Sequence, residues 1–449
     1  MRDSSAVVVQ PPVSGWPTRA RTLPVIAHET RLVLGLPTDR AVIMSGHQAE
    51  LWHPGIAAKA LAMTHIAHAC AGASAWVHVD QDANDPTRIA YPTRDLRMGT
   101  WAVSAQTASA RASLPATGSR PALREASAVP ADVHPGVKTS YDRMRDAILR
   151  RGESASLAEQ LAGLAFEPLS GLARVDVPFM ATRIASTPAF VEAVTLMRAD
   201  PQACAETYNA AAAGVPAARL RALNISEPRV ELPLWRVRVG MARLPVFASD
   251  LDRIPAHELA PRALLMTALL RACACDVFIH GTGGGVYDQA TDAWWHAWMQ
   301  RGRSPLSELS LAPTAVVTAT RRLTFPGAHV PEPEAIDHAV WLAHRALHDP
   351  HAAGDDTLIT RKQELVAAIA SAPRRSSERR ALYRQMHSHI AQMRAQRQSQ
   401  IDKLAKAAAN AVASREVAAV VHARTWPCAV YPRGVLEELS YTIGRAIAM

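Results

Sequence analysis

A glycine-rich turn between an apolar run and a helical pattern constrains the fold of this chain more than any other feature. The apolar run, residues 277–279, predicts a buried strand, and residues 286–298 follow a helical pattern. Between them lies the sequence HGTGGG, residues 280–285. Glycine tolerates positive φ and lets a ligand approach the backbone, so this order of elements can present N–H groups to an anion. The pattern predicts a ligand site at the carboxyl end of a strand in an α/β sheet.

The turn does not identify its ligand. It differs from the GxGxxG fingerprint of dinucleotide-binding folds and lacks the GK[ST] ending of a P-loop. A turn that only packs the helix on the strand is the alternative interpretation. The candidate contacts for a substrate or anion in this region are His280, Gly281, Thr282, Gly283, Gly284, Gly285, Tyr287 and Asp288.

A second strand–turn–helix pattern occurs earlier in the chain. Residues 41–44 predict a short strand, residues 45–48 predict a polar turn, and a helix is predicted from residue 54 to about residue 70. His47 is a candidate general acid or base, because imidazole exchanges protons near neutral pH; an ordinary loop residue is the alternative. The candidate contacts for substrate or anion here are Gly46, Gln48, His53 and Lys59, with solvation at the surface as the alternative for the lysine.

Residues 75–79 predict a further strand, which ends in a cluster of acids. Strand, helix and strand in succession form a βαβ unit and predict a parallel pair. Asp80 directly follows the strand and is a candidate catalytic residue that would orient an amine or a ribose hydroxyl. Asp82 is a candidate substrate contact, and a capping or turn role is the alternative for Asp82 and Asp85.

The last third of the chain has a different pattern. Apolar residues recur there at steps of three and four, namely Leu382, Met386, Ile390, Met393, Ile401, Leu404, Ala408 and Val412, with Arg397 interrupting the series. This spacing predicts a helical hairpin or coiled-coil arm within residues 334–422. Because an isolated amphipathic helix does not bury its own apolar stripe, we expect the arm to mediate a homodimer.

Composition narrows the partners and the compartment. The net charge is +9, but the basic residues are nearly all arginine, and no zinc-finger or RNA-binding aromatic motif accompanies them, so a nucleic-acid partner is not expected. Five cysteines without a CxxC pair favour reduced thiols in a cytoplasm. No apolar run is long enough to span a membrane and no signal-peptide pattern opens the sequence, so we expect a cytoplasmic protein without a membrane partner.

A metal site is an alternative use of the first region. Histidines cluster there, at His47, His53, His65, His68 and His78. The pair at positions 65 and 68 has the spacing HxxH, which places two imidazoles on one helix face. The stronger HExxH motif does not occur in the sequence. We therefore assign no metal ligand, and a metal-dependent hydrolase stays as an alternative function.

Three loops and the arm resemble bacillithiol synthase, the cysteine-adding enzyme of bacillithiol biosynthesis. Residues 45–48 (SGHQ), Leu51, the Pro54-Gly55 turn and Lys59 are similar to the family's Thr-Gly-Gln-Gln turn and its following Leu, Gly-Pro and Lys. Residues 80–82 (DQD) are similar to the family's Glu-Asp-His-Asp strand end, with glutamine in place of histidine. Residues 281–285 and the tyrosine at 287 occupy the place of a Gly-Gly-Pro-Gly-Glu turn and its Tyr, without the Pro or the Glu.

This resemblance implies a Rossmann-like core with inserted connecting regions and a dimer formed through a coiled-coil arm. It also implies a ligase that joins cysteine to the amine of a glucosamine–malate conjugate. For this divergent chain we expect a cysteine-like amino acid and an amine-bearing small molecule as substrates. A nucleotide such as ATP or ADP is the one cofactor considered, and none is assigned. A non-catalytic dimeric scaffold that uses a basic arm is the alternative from another class.

Together, pattern and resemblance predict an α/β fold with a mainly parallel, Rossmann-like sheet, helical insertions and a C-terminal arm. The predicted division is 1–100 for the first part of the core, 101–225 for a loop and helical insertion, 226–330 for the second part of the core with the glycine-rich turn, 331–424 for the coiled-coil arm, and 425–449 for a return to the core.

Overall fold

The structure is a computed structural model that describes residues 7–12, 16, 20–104, 114–226, 229–354 and 358–448. Within these ranges the fold is mixed α/β, and its central sheet is mostly parallel. The prediction of an α/β fold with a mainly parallel sheet is therefore confirmed.

Eleven strands occur among the described residues. They are β1 (Val7–Gln10), β2 (Val42–Gln48), β3 (Ala73–Val79), β4 (Arg88–Pro92), β5 (Met98–Ala102), β6 (Val177–Met180), β7 (Glu231–Arg236), β8 (Leu244–Phe247), β9 (Leu259–Pro261), β10 (Val277–His280) and β11 (Thr314–Ala319). The central sheet has the order β1-β11-β10-β2-β3-β6, with β1 antiparallel at the edge and the other neighbours parallel. Two smaller sheets have the orders β4-β5 and β8-β7-β9.

The helices of the described ranges are α1 (Val25–Leu34), α2 (Pro54–Ala69), α3 (Pro135–Arg150), α4 (Leu157–Phe166), α5 (Pro188–Ala199), α6 (Pro201–Gly214), α7 (Ala263–Leu269), α8 (Thr282–Met299), α9 (Pro333–Ala346), α10 (Ile359–Ser371), α11 (Ser377–Gln396), α12 (Gln398–Ala413), α13 (Arg415–Val421) and α14 (Arg433–Ala448). The chain divides into two compact units. The first takes its residues from Met1–Tyr91, Thr100–Arg322 and Arg424–Met449, and the second from Pro92–Gly99 and Leu323–Ala423.

Strands β2 and β10 lie side by side at the centre of the sheet, with Ile279 paired to Ser45. Val42, Ile43 and Met44 of β2 are fully buried, as expected for a parallel strand covered on both faces. Val42 and Met44 face a large apolar core that includes residues of α1, α5, α6, α7 and α8. Helix α2 packs along β2, β3 and β11. The two strand–turn–helix patterns of the sequence therefore share one sheet, as predicted.

Both predicted turns are in fact regular structure. Strand β2 continues through the expected turn to Gln48, because β3 pairs with it over its full length, from Val42↔Ala73 to Gln48↔Val79. The glycine-rich run forms the first turn of α8, which begins at Thr282, and none of its glycines has positive φ. At two of these positions glycine avoids a steric overlap instead. A Cβ on Gly284 would overlap the His280 ring, and a Cβ on Gly285 would overlap Val316. Positive φ is therefore not the reason for glycine at this turn.

The segment between the two halves of the core contains more than the predicted loop and helices. Part of the predicted loop, residues 105–113, lies outside the described residues. Helices α3 to α6 follow, and between α4 and α5 the strand β6 pairs with β3 and extends the central sheet. The sequence pattern did not predict β6, because four residues with a proline carry little periodic signal.

The second unit consists largely of helices α9 to α13. Within it, α12 packs against α9 and α11 packs against α10. The predicted helix breaks at Arg397, which separates α11 from α12. Met393 and Ile401 of the predicted stripe are buried in a small cluster with Ala346 and Ala353, so part of that stripe is covered within the unit.

Candidate functional site

A cavity of about 500 Å³ opens at the carboxyl ends of β2, β3 and β10. Because these strands are parallel neighbours, their carboxyl ends meet at one edge of the sheet. The cavity brings together most of the residues that the sequence singled out, namely Gly46, His47, Gln48, His53, Lys59, Asp82, His280, Gly281, Thr282, Gly283, Gly284 and Tyr287. Three other candidates, Asp80, Gly285 and Asp288, do not line it.

The amino ends of two helices border this cavity. No side chain of a described residue caps α8 at Gly281, and its first intrahelical hydrogen bond runs from Gly284 N–H to Gly281 O at 3.0 Å. The N–H groups of the first turn before Gly284 therefore have no acceptor within the helix. At the start of α2, the His53 ring accepts a hydrogen bond from Gly55 N–H at 3.1 Å. Two positive helix ends make this edge of the sheet attractive to an anion.

His47 and Glu50 form a polar pair on the cavity wall. Nε2 of His47 lies 3.0 Å from Oε1 of Glu50. Burial lowers the pKa of His47, the hydrogen bond to Glu50 works in the opposite direction, and the charge of Lys59 lowers it further. The net lowering favours the neutral form of His47, which can accept a proton. Glu50 was not among the predicted residues, although its position three residues after His47 was a usable signal.

Lys59 is a buried amine in the wall of the same cavity. Its side chain donates to Gly46 O at 2.5 Å and lies 5.3 Å from the ring centroid of Trp76. Only 4% of the residue is exposed, so it is not a solvated surface lysine. Among the described residues, no carboxylate lies within ion-pair distance of its Nζ. Burial lowers the pKa of Lys59 to about 7, and the charge of Glu50 opposes this shift.

Asp82 contacts the cavity but already has cationic and amide partners. Its Oδ1 accepts a hydrogen bond from Arg243 at 2.7 Å, and its Oδ2 accepts one from Gln48 at 3.2 Å. The Arg243 guanidinium also stacks on Trp235, 4.3 Å from the ring centroid. Trp235 lies in β7 and Arg243 directly precedes β8. Both were missed by the sequence reasoning, because they are more than 150 residues away from Asp82. The negative charge of Asp82 is thus balanced before any ligand binds.

The His280 ring contacts an acidic side chain, that of Asp288. Its Nε2 lies 2.9 Å from Oδ2 of Asp288, at ion-pair distance. Asp288 in turn lies 3.4 Å from Arg271, which also pairs with Asp292 at 2.6 Å. Asp288 therefore contacts His280 and does not line the cavity, and its contact with substrate stays a prediction. Gly285 likewise faces Val316, not the cavity.

Asp80 has a structural environment. Its carboxylate accepts hydrogen bonds from the Thr182 N–H at 2.9 Å and from the Thr182 hydroxyl at 2.5 Å. Its backbone oxygen accepts from Gly118 N–H at 2.7 Å. Burial raises the pKa of Asp80, and the hydrogen bonds from Thr182 act in the opposite direction. The carboxylate thus joins the end of β3 to the segment after β6, and the catalytic role of Asp80 stays a prediction that the lining of the cavity does not support.

The histidine and cysteine side chains outside the cavity form neither a metal site nor a reactive thiol pair among the described residues. No group of three or more His, Cys, Asp or Glu side chains in the described part of the chain is arranged to hold a metal ion. His65 bonds Ser440, and His78 lies in an aromatic cluster with Trp52, Trp76 and Phe166. All five cysteines are free, and burial raises the pKa of Cys273 and Cys275 to about 12. Burial therefore disfavours the thiolate, the nucleophilic form, of these two residues.

Comparison with known proteins adds no assignment. No protein-family model matches the chain, and no curated protein matches it either. In the ranges that the structure describes, none of the helices combines the length and the apolar character needed to cross a bilayer. The function proposed below is therefore based on the residues that line the cavity.

Proposed function

We propose that this chain is an enzyme acting on a small anionic substrate, a divergent relative of bacillithiol synthase. In this proposal it joins a cysteine-like amino acid to the amine of a second small molecule. The observation that supports it is the convergence of residues from three predicted regions on one cavity of about 500 Å³. A volume in this range suits a small-molecule substrate.

The groups around the cavity suit this type of reaction. Amide formation needs a base for the attacking amine, and His47, which lines the cavity and whose pKa is lowered, would accept that proton. The N–H groups at the start of α8 would hold carboxylate or phosphate oxygens. A carboxylate must be activated before an amine attacks it at neutral pH, so a nucleotide such as ATP is the proposed co-substrate, with its phosphates at these N–H groups.

A ligand screen tests this proposal. Thermal unfolding would be measured with ATP, ADP, L-cysteine, inorganic phosphate and a glucosamine–malate conjugate, singly and in pairs. A ligand at 100 times its Kd should stabilise the protein by about 2.7 kcal/mol. Lys59→Met should remove the stabilisation, whereas Lys138→Arg, at a partly exposed lysine paired with Asp142 outside the cavity, should keep it. Mass spectrometry of mixtures with ATP would then detect the amide product. Stabilisation without any product contradicts the ligase, and no stabilisation by any ligand favours a non-catalytic scaffold.

We further propose that the core is Rossmann-like, that the protein is cytoplasmic, and that the second unit forms a coiled-coil-type arm through which two copies pair. Large apolar side chains on the helices of this unit support the pairing, since Trp341, Val366 and Tyr383 are each about half exposed. Light scattering at micromolar concentration tests it. Trp341→Glu should convert a dimer to a monomer, and a monomeric wild type would refute the dimer.

A further inference from the structure

The buried amine of Lys59 has an arrangement that anion binding alone does not require. It lines a cavity large enough for a small molecule, has one hydrogen-bond acceptor, Gly46 O, and no carboxylate partner among the described residues. An ammonium ion in such a place would be a buried charge without an ion-pair contact to any described carboxylate, which is unfavourable. A neutral amine fits better, because it can donate one N–H to Gly46 O and keep its lone pair available.

The surroundings of Lys59 match the needs of carbonyl chemistry. The unpaired N–H groups at the start of α8 can hold an anionic group on the substrate. His47 is a neutral base on the same cavity wall. The indole of Trp76 keeps the amine away from bulk water. Desolvated lysines of this kind attack carbonyl carbons to form Schiff bases.

We propose that Lys59 is a nucleophilic amine that forms an imine with an aldehyde or ketone carrying a phosphate or carboxylate group. The lone pair of Nζ attacks the carbonyl carbon and forms the C–N bond. His47 takes a proton from the nitrogen and passes it to the oxygen. The second proton of the amine follows, water leaves, and the C=N bond remains. Nothing is oxidised or reduced in this step. The inference goes beyond the proposed ligase and does not depend on it.

The test uses pyridoxal phosphate, an aldehyde with a phosphate group, followed by borohydride. The hydride reduces the C=N bond and makes the adduct permanent, and peptide mass spectrometry locates it. The mapping is clear because the chain has only five lysines, at positions 59, 138, 362, 403 and 406. With a pKa of about 7, half of Lys59 is neutral at pH 7. The neutral fraction of an ordinary lysine at pH 7 is about a thousandfold smaller.

We therefore expect labelling at pH 7 to fall mainly on Lys59. The preference of the label for Lys59 should vanish near pH 10, where the other lysines also become neutral. The rate of labelling at Lys59 should drop below pH 6. The other titratable groups lining the cavity are His47, Glu50, His53, Asp82, His280 and Tyr287, and Glu50 is the one whose charge holds the Lys59 pKa up. Pyridoxal without phosphate should label Lys59 more slowly, because it lacks the group that the α8 amino end holds.

Two variants complete the test. Lys59→Met should lose the pH 7 adduct while Lys138→Arg keeps it. Circular dichroism and urea unfolding show whether each variant is folded. Labelling of the wild type spread over the other four lysines, with position 59 unmodified at pH 7, would overturn the proposal even if the methionine variant did not fold. Amide product in the ligase assay together with an unreactive Lys59 would refute this inference alone. An adduct without amide product would refute the ligase alone.

Discussion

Removal of the Asp80 carboxylate should destabilise the protein without disturbing the cavity. Asp80→Ala leaves the N–H and hydroxyl of Thr182 without their acceptor in a buried place. Hydrogen bonds to a charged group contribute about 1.5–3 kcal/mol each, so the two together amount to roughly 3–6 kcal/mol. The desolvation that raises the pKa of Asp80 opposes this. We expect a net loss of about 2–4 kcal/mol.

Asp80→Asn is the matched control. The amide oxygen can still accept from Thr182 N–H, and the amide N–H can donate to the hydroxyl, so we expect a change of about 1 kcal/mol or less. The pH dependence has a definite sign. Because the folded-state pKa of Asp80 is raised, the folded protein binds this proton more tightly than the unfolded chain does. Wild-type stability should therefore fall relative to Asp80→Asn as pH rises from about 4 through the folded pKa.

Urea unfolding followed by tryptophan fluorescence measures these differences, and pyridoxal phosphate labelling of Lys59 reports on the cavity. Labelling should stay close to wild type in both variants. If Asp80→Ala is as stable as wild type to about 0.5 kcal/mol, the structural role is wrong. If in addition Asp80→Asn abolishes ligand-induced stabilisation, Asp80 acts on the ligand after all.

Three further predictions concern the cavity. Glu50→Gln should lower the pKa values of both His47 and Lys59, because Glu50 raises each, and NMR titration of His47 and the pH midpoint of Lys59 labelling should both shift to lower pH. Gly284→Ala should destabilise the protein by about 1–3 kcal/mol and weaken ligand binding, because the added methyl group overlaps the His280 ring. Gly283→Ala is the matched control, because open space surrounds its Cβ. In the same urea assay it should be neutral or stabilise α8 by several tenths of a kcal/mol. Binding of sulfate should be accompanied by proton uptake at pH 7, since a nearby anion favours the charged form of Lys59. Calorimetry in two buffers of different ionisation enthalpy should therefore give different binding enthalpies. Equal enthalpies in the two buffers would contradict the uptake of a proton.

The sequence predicted the sheet and its edge because these depend on local patterns. An apolar run followed by small polar residues and a helix describes a strand end wherever it occurs, and parallel crossovers bring such ends together. Gly46 and Gly284 were found in this way. The reason given for the second was wrong, since it provides space for the His280 ring at an ordinary φ.

The partners of the site residues could not be predicted, because most of them are distant in the chain. Asp82 meets Arg243 and Asp80 meets Thr182, both more than 100 positions away. No periodicity encodes such pairs. Two acids in one short cluster, Asp80 and Asp82, thus have different roles, and only their tertiary contacts distinguish them.

The distribution of charge around the cavity argues for an anionic ligand independently of any resemblance. Asp82 is paired with Arg243, and the charge of Glu50 raises the pKa of Lys59 without forming an ion pair with it, so positive groups remain at the cavity wall without an ion-pair partner among the described residues. Those groups are Lys59 and the uncapped amino end of α8. Burial lowers the pKa of this amine to about 7, which favours its neutral form relative to an ordinary lysine. A phosphate or carboxylate bound in this cavity would restore the balance, because both the amine and the amino end of α8 line it.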